Sequence, residues 1–262
     1  MAATLPAVSR LLPWSARAWF LVALASQWIF AAYILWVLAR PMLLGDSDGY
    51  RHVSGMVAGD RPGNAAMLGH VLVALVLNLL GLLQLVPWLR RNYPGWHRFA
   101  GRTFMVFALA AVGSGLYLTW MRDWRLGDVS AIAISLNGVL IVLAVVMAWR
   151  LARQRRFAEH RRWAIRALLL VGGVWTLRLG LMAWYLVNQG PRGNTPQLDG
   201  PFDVVWVFGS YLVPLAVAEL YFRAERAGVP AQRAVAALLA ACAALTALGT
   251  GAAMMMMWLP RF

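Results

Sequence analysis

Seven long apolar stretches, separated by short arginine-bearing connections, fill almost all of this 262-residue chain. Each runs for roughly the 20 residues with which a helix crosses about 30 Å of hydrocarbon. The predicted spans are 18–39, 65–88, 101–121, 129–149, 164–187, 204–222 and 232–258. Together they leave no room for a soluble domain of ordinary size. The sequence therefore predicts one all-α integral membrane domain over residues 1–262, a bundle of about seven transmembrane helices.

The positive charge of the chain fits a membrane surface better than a nucleic acid. The formal net charge is +14, but the arginines lie at the ends of the apolar stretches and not along one polar face. Tryptophans lie at the same boundaries, where an amphipathic ring is favoured. We therefore expect the lipid bilayer as the main partner and no nucleic acid. A membrane protein partner or a homo-oligomer is a further expectation.

The distribution of charges predicts the orientation. With a cytoplasmic N-terminus, 16 arginines fall inside and 7 outside, while Arg178 lies within a span. Seven of the ten acidic residues then fall outside. The positive-inside tendency favours this orientation, with an external C-terminus. We expect a multi-pass protein of the bacterial inner (cytoplasmic) membrane, whose first span is too long for a cleaved signal.

The residue types limit the chemistry. Cys242 is the only cysteine, which excludes intramolecular disulfides and Cys-based metal sites. The sequence has no serine nucleophile elbow, no phosphate-cradling Gly loop and no HExxH motif. Hydrolytic and nucleotide-driven functions lose support, and whether the protein is an enzyme stays open. Histidine is left as the obvious metal ligand.

His97 and His160 are the first candidate ligands. They lie 63 residues apart in related segments, PGWHRFAGR and FAEHRRWAIR, which predict two similar helical hairpins packed side by side. Two imidazoles from adjacent helices can ligate a b-type haem axially. Nearby arginines are candidate partners for its propionates: Arg98, Arg102, Arg161 and Arg166. The alternative is that these groups bind lipid phosphates, or Glu159, at the interface.

His70 lies about one and a half turns inside the second span, where an ionisable group indicates a site. Its candidate partners at similar depth include Asn137 and Arg178. The outer site could be a haem held by His52 and His70, or a quinone held by His70 with Arg178. A satisfied polar core is the third alternative.

Arg178 lies about nine residues from the external end of its helix, roughly 13 Å at 1.5 Å per residue. Its side chain cannot easily reach the interface from that depth. No Asp or Glu is predicted at the same level, although a buried guanidinium needs an acceptor. An exogenous anionic or carbonyl ligand is one candidate acceptor. Backbone carbonyls and Asn137 are the others.

Two weaker patterns have ordinary explanations. Glu219 and Arg223 are one helical turn apart, which predicts an interfacial ion pair. The run Met254 to Met257 cannot converge on one copper ion, because successive helical residues point about 100° apart. These methionines are expected to face lipid or to fill gaps.

The segments QLVPWLRRNYPGWHRFAGR and EHRRWAIR, with the TLR that follows, resemble an uncharacterised family of bacterial multi-span membrane proteins, a domain of unknown function. The resemblance covers about Met67 to Glu219 and implies topology more than activity. A looser similarity, histidines near the ends of four central helices, is to the membrane cytochrome b reductases, which pass electrons between two haems. This chain lacks a matching deep histidine on span four, where Asn137 is the nearest polar residue.

Two functions follow as hypotheses. The first is an inner-membrane redox protein in which His97 and His160 bind haem b with help from Arg102. Electrons would pass between that cytoplasmic-side site and an external-side haem or quinone site near His70 and Arg178, with Asn137 close by. The second is a non-catalytic membrane binding or accessory protein that holds a lipid or small anion, or a subunit of a larger membrane complex.

Overall fold

The fold was examined in a computed structural model, which describes residues 10–44, 56–57, 59–122 and 127–261. Over those residues the regular secondary structure is helical, without strands. The α-helices are α1 (Leu11–Tyr33), α2 (Arg40–Leu44), α3 (Arg61–Leu80), α4 (Pro87–Asn92), α5 (Pro94–Trp120), α6 (Asp128–Arg153), α7 (Phe157–Val171), α8 (Gly173–Asn188), α9 (Pro201–Ala224) and α10 (Val229–Ala253). A π-helical segment, Ile34–Ala39, joins α1 to α2, and a second, Met254–Trp258, extends α10.

The predicted bundle of about seven transmembrane helices is confirmed. Six continuous helical stretches in the described part of the chain are long and apolar enough to cross a bilayer: Leu11–Leu44, Arg61–Leu85, Pro94–Trp120, Asp128–Arg153, Pro201–Ala224 and Val229–Arg261. The bent pair α7 and α8 makes a seventh when it is counted as one span. The helices extend beyond the predicted spans because polar and arginine-bearing ends continue the helix past the apolar stretch.

The span predicted over 164–187 is present, but it is broken into two helices. Helices α7 and α8 meet at Gly172 with a bend of 51°. Two successive glycines weaken the helix at this point, since they lack the side chains that restrict the backbone. On the neighbouring helix α6, the Asn137 side-chain amide donates a hydrogen bond of 3.2 Å to the carbonyl of Leu170, just before the bend.

The contacts between helices determine which side chains lie close together. Helix α1 packs along α10, which also contacts α8, while α9 packs against α7 and α8. Helices α3 and α5 form one hairpin, and α6 and α7 form the other. The two hairpins lie side by side through α5 and α6, as the internal repeat predicts.

A buried polar contact joins three helices in the interior. The Ser26 and Thr250 hydroxyl oxygens lie 2.6 Å apart, and the Trp175 indole N–H donates to Ser26 at 2.9 Å. Internal partners of this kind are needed because the bilayer core offers polar groups no water. The bond network fixes α1, α8 and α10 relative to one another.

Helix α5 begins, α6 ends and α7 begins at the same end of the bundle, which we call the arginine-rich end; the other is the opposite end. Two ion pairs at the arginine-rich end connect α7 with α9 and with Glu225, the residue after α9. Arg166 donates to both oxygens of Glu219, at 2.6 and 3.0 Å, and Arg161 pairs with Glu225 at 3.0 Å. The predicted pairing of Glu219 with Arg223 is therefore wrong, because the carboxylate faces α7.

Candidate ligand cavity

A cavity of about 1140 Å³ opens at the arginine-rich end, between the start of α5, the end of α6 and the start of α7. Ligand pockets typically occupy roughly 300–1,000 Å³, so this space can accept a molecule of cofactor size. The cavity has a cationic rim and an apolar floor. It is therefore suited to an amphiphilic ligand with a negative end.

His97 and His160 both line this cavity. Each is the fourth residue of its helix, and each backbone N–H closes the first turn, to Tyr93 at 3.0 Å and to Arg156 at 2.9 Å. The two imidazoles thus open equivalent helices and face one space, as the sequence predicts. Both side chains are half-buried.

The ring of His160 is held by the backbone of α6. Its Nδ1 lies 2.9 Å from the carbonyl oxygen of Ala148. A carbonyl can only accept, so Nδ1 carries the proton and Nε2 is left with a free lone pair. Histidines that ligate metals are commonly oriented by such a bond at the other ring nitrogen.

Several arginines surround the histidines with positive charge. Four of them line the cavity without a carboxylate within 4.0 Å in the described part of the chain: Arg90, Arg98, Arg102 and Arg153. Arg161 also lines the cavity, but Glu225 neutralises it. The rim therefore attracts a ligand that carries carboxylates or phosphates.

The floor of the cavity is apolar except for one amide. Phe104, Ala167 and Leu168 lie there, and all three are buried. The Gln84 Nε2 donor is buried and has no partner among the described residues, which is uncommon for a buried amide. A methyl group on Gly101 would lie 3.2 Å from the Gln84 Oε1, so this glycine lets the amide approach α5. Gln84 was not among the residues predicted from the sequence, although its amide interrupts the apolar run LLQLV.

His70 lies away from this cavity, on the face of α3 that packs against α5. Its Nδ1 is 2.8 Å from the Ser114 hydroxyl, which itself donates to the Ala110 carbonyl at 2.7 Å. His70 Nδ1 is therefore the donor, and the ring packs closely on Gly115. The other histidine considered for this level, His52, lies outside the described residues.

Arg178 and Asn137 also lie away from the cavity. One Arg178 nitrogen, Nη1, donates to the Val174 carbonyl at 3.3 Å, and the guanidinium carbon lies 5.4 Å from the centre of the Phe30 ring. The Asn137 amide nitrogen donates to α7 just before the bend, and its side-chain oxygen is buried without a partner in the described part of the chain. The structure thus brings His97, His160 and Arg102 together and places the other three candidates elsewhere.

The donor set at the cavity suits a metal that brings most of its ligands with it. Among the described residues, no three or more His, Cys, Asp or Glu side chains cluster as a metal site. A haem needs only axial ligands from the protein, because its porphyrin supplies the other four nitrogens. His97 and His160 are the two candidate ligands of this kind in the cavity, whose other lining is apolar on one side and cationic on the other.

The family of the chain was established by comparison with known proteins. No curated protein and no solved structure matches the sequence. One family model, described as a predicted membrane protein, matches residues 67–222, which is more than half of the chain. The matched region runs from α3 to α9 and so includes both hairpins and the whole cavity. The chain belongs to this family of predicted membrane proteins, DUF2306.

Proposed function

We propose that this protein is a redox protein of the bacterial inner membrane that binds haem b in the cavity at the arginine-rich end. The observation that carries the proposal is the pair of imidazoles, His97 and His160, which open equivalent neighbouring helices and line one cavity. His160 also has its Nδ1 fixed by the Ala148 carbonyl, which leaves Nε2 for a metal.

The rest of the cavity supports the same ligand. The rim arginines, Arg98 and Arg102 among them, would hold the propionates, while the buried side chains of Phe104 and Leu168 would enclose the porphyrin. Haem would supply one-electron chemistry, which side chains do not carry out readily at physiological potentials. A quinone or another external-side site near His70 and Arg178 is the proposed exchange partner.

Absorption spectroscopy tests this proposal. The protein purified in mild detergent from haem-replete cells should show an intense haem band that shifts on reduction with dithionite. His97→Ala and His160→Ala should each lose most of that band, because each removes an axial ligand. His70→Ala is the matched control and should keep it, since His70 lies outside the cavity.

Two results would contradict the proposal. One is a colourless wild-type preparation from haem-replete cells that fills with no haem when haem is added. The other is full haem content in both His97→Ala and His160→Ala. In either case the cavity would need a different ligand.

Binding of an anionic lipid is the second candidate function, and the unpaired rim arginines favour it. Native mass spectrometry would detect bound phosphatidylglycerol on a colourless protein. Arg98→Gln with Arg102→Gln should then release the lipid, because these side chains reach into the cavity without a carboxylate partner. Loss of haem and retention of lipid in the same double variant would favour the first function.

A further inference from the structure

A groove of about 540 Å³ lies along α5 and α6, beside the cavity at the arginine-rich end. Leu109 on α5 and Val145, Val146 and Trp149 on α6 form its apolar lining. Leu109 is 40% and Val146 51% exposed, so both side chains are open to the hydrocarbon of the bilayer. The groove therefore offers an apolar surface to molecules that are dissolved in the membrane.

The lining of this groove changes from apolar to cationic toward the end of α6. Arg150 and Arg153, in the last turn of α6, line it together with Gln154. Arg150 follows Val146 by one helical turn, which is about 6 Å along the axis at 1.5 Å per residue. Trp149 lies at the level of Arg150, where an indole ring is typical of the boundary between hydrocarbon and headgroups. The apolar part thus lies at the depth of acyl chains, and the two guanidinium groups lie at the depth of lipid phosphates.

Arg150 and Arg153 have no carboxylate within 4.0 Å among the residues that the structure describes. The three glutamates of the chain lie at this end, and each pairs with another arginine: Glu159 with Arg156, Glu219 with Arg166 and Glu225 with Arg161. The acidic residues outside the described ranges are Asp46, Asp48 and Asp123, which follow α2 and α5 in the sequence, and both helices end at the opposite end of the bundle. The counter-charge of the groove arginines must therefore come from outside the chain.

We propose that this groove binds one phospholipid with an anionic headgroup, such as phosphatidylglycerol. One acyl chain lies against Leu109 and Val146, and the guanidinium groups of Arg150 and Arg153 bind the phosphate through charge-assisted hydrogen bonds. Exposed Arg155, in the connection after α6, adds positive charge that favours a lipid of net negative charge over a zwitterionic one. Leu109 and Arg150 line the groove and not the cavity, so this site is separate from the lipid considered for the cavity. It does not depend on the proposed haem function.

Lipid titration followed by native mass spectrometry tests the site. The delipidated full-length protein is titrated in detergent with phosphatidylglycerol and, separately, with phosphatidylcholine that has the same acyl chains. We expect one phosphatidylglycerol to bind about tenfold more tightly than phosphatidylcholine, because of the positive charge around the phosphate. Arg150→Gln should weaken phosphatidylglycerol binding about tenfold, since it removes a hydrogen bond between charged groups. Leu109→Trp, which fills the apolar part of the groove, should weaken the binding of both lipids.

Arg226→Gln is the matched control, because it removes an exposed arginine at the same end of the bundle that lines neither the groove nor the cavity. It should bind phosphatidylglycerol like the wild type. Equal affinities of the wild type for the two lipids, or an unchanged affinity in Arg150→Gln, would overturn the proposal.

A second measurement needs only the wild type and decides the question if the variants unfold during purification. The protein is irradiated with a phosphatidylglycerol that carries a photoreactive group on one acyl chain, and the labelled peptides are identified. Labelling of the segments around Leu109 and Val146 supports the site. Labelling confined to other segments refutes it.

Discussion

Asp60 connects the start of α3 with the end of α5. Its carboxylate accepts hydrogen bonds from the Gly63 backbone N–H at 2.9 Å and from Arg122 Nε at 2.7 Å. The backbone N–H first, and the guanidinium second, lower the pKa of Asp60 below its ordinary value of 3.8. A methyl group on Gly63 would collide with the Asp60 carboxylate and with the Arg122 side chain, so glycine is required there.

A carboxyl group whose pKa is lowered by folding stabilises the protein fully above its unfolded pKa. That contribution is lost as the pH falls through the lowered value. We therefore expect Asp60→Asn to unfold at a lower temperature than wild type at about pH 6, and this gap to close as the pH falls below 3.8. Thermal unfolding of both proteins at a series of pH values measures this difference in unfolding temperature.

Glu159→Gln is a control, since Glu159 forms only an exposed ion pair with Arg156 three residues away. It should change the unfolding temperature little at any pH. A gap between Asp60→Asn and wild type that stayed constant down to acid pH would show that the charge of Asp60 does not contribute.

The side chains that line the cavity could be predicted only in part. His97, His160 and Arg102 were found because imidazoles and arginines near apolar spans are conspicuous in sequence. Gln84 and the donor to Glu219 were missed because they depend on contacts between helices. Glu219 bonds Arg166, which is 53 residues away, whereas spacing rules find only neighbours one turn apart.

The contact between α8 and α9 depends on Gly180, which has no side chain. A methyl group on Gly180 would lie 2.1 Å from the ring of Trp206, far inside van der Waals contact. Trp206 is fixed in addition by its indole N–H, which donates to the Leu177 carbonyl at 3.1 Å. Helix α8 therefore approaches α9 as closely as it does only because residue 180 is glycine.

Gly180→Ala should lower the free energy of unfolding by roughly 1–3 kcal/mol, because the added methyl forces the helices apart. Gly113→Ala is the matched substitution, since nothing lies within 4 Å of the added group on α5. It should be neutral or stabilising by up to about 1 kcal/mol, in line with helix propensity. Denaturation in mixed micelles measures the free energy of unfolding of both variants. Equal destabilisation by the two would exclude the packing explanation.

Helix boundaries and bends were harder to predict than helix number. Apolar length reveals a span because a transmembrane backbone must satisfy its own hydrogen bonds. The same signal does not show where a helix bends. The pair Gly172 and Gly173 was visible in the sequence, but the bend there also involves Asn137 on another helix.

The bundle as a whole carries its charge asymmetrically. Cavity arginines such as Arg98 and Arg153 lie at one end, while Asp60, Asp128 and Asp203 lie toward the other. From the positive-inside tendency we expect the arginine-rich end to face the cytoplasm. The proposed haem would then lie near the cytoplasmic face.

Cysteine labelling in intact bacterial cells tests this orientation. In a Cys242→Ala background, which removes the only native cysteine, Gln154→Cys marks the arginine-rich end and Gln197→Cys the opposite end. Both positions are exposed. A membrane-impermeant maleimide should label Gln197→Cys in intact cells, and Gln154→Cys only after the membrane is permeabilised, because arginine-rich connections are retained inside. The reverse pattern would place the arginine-rich end and its cavity at the external face.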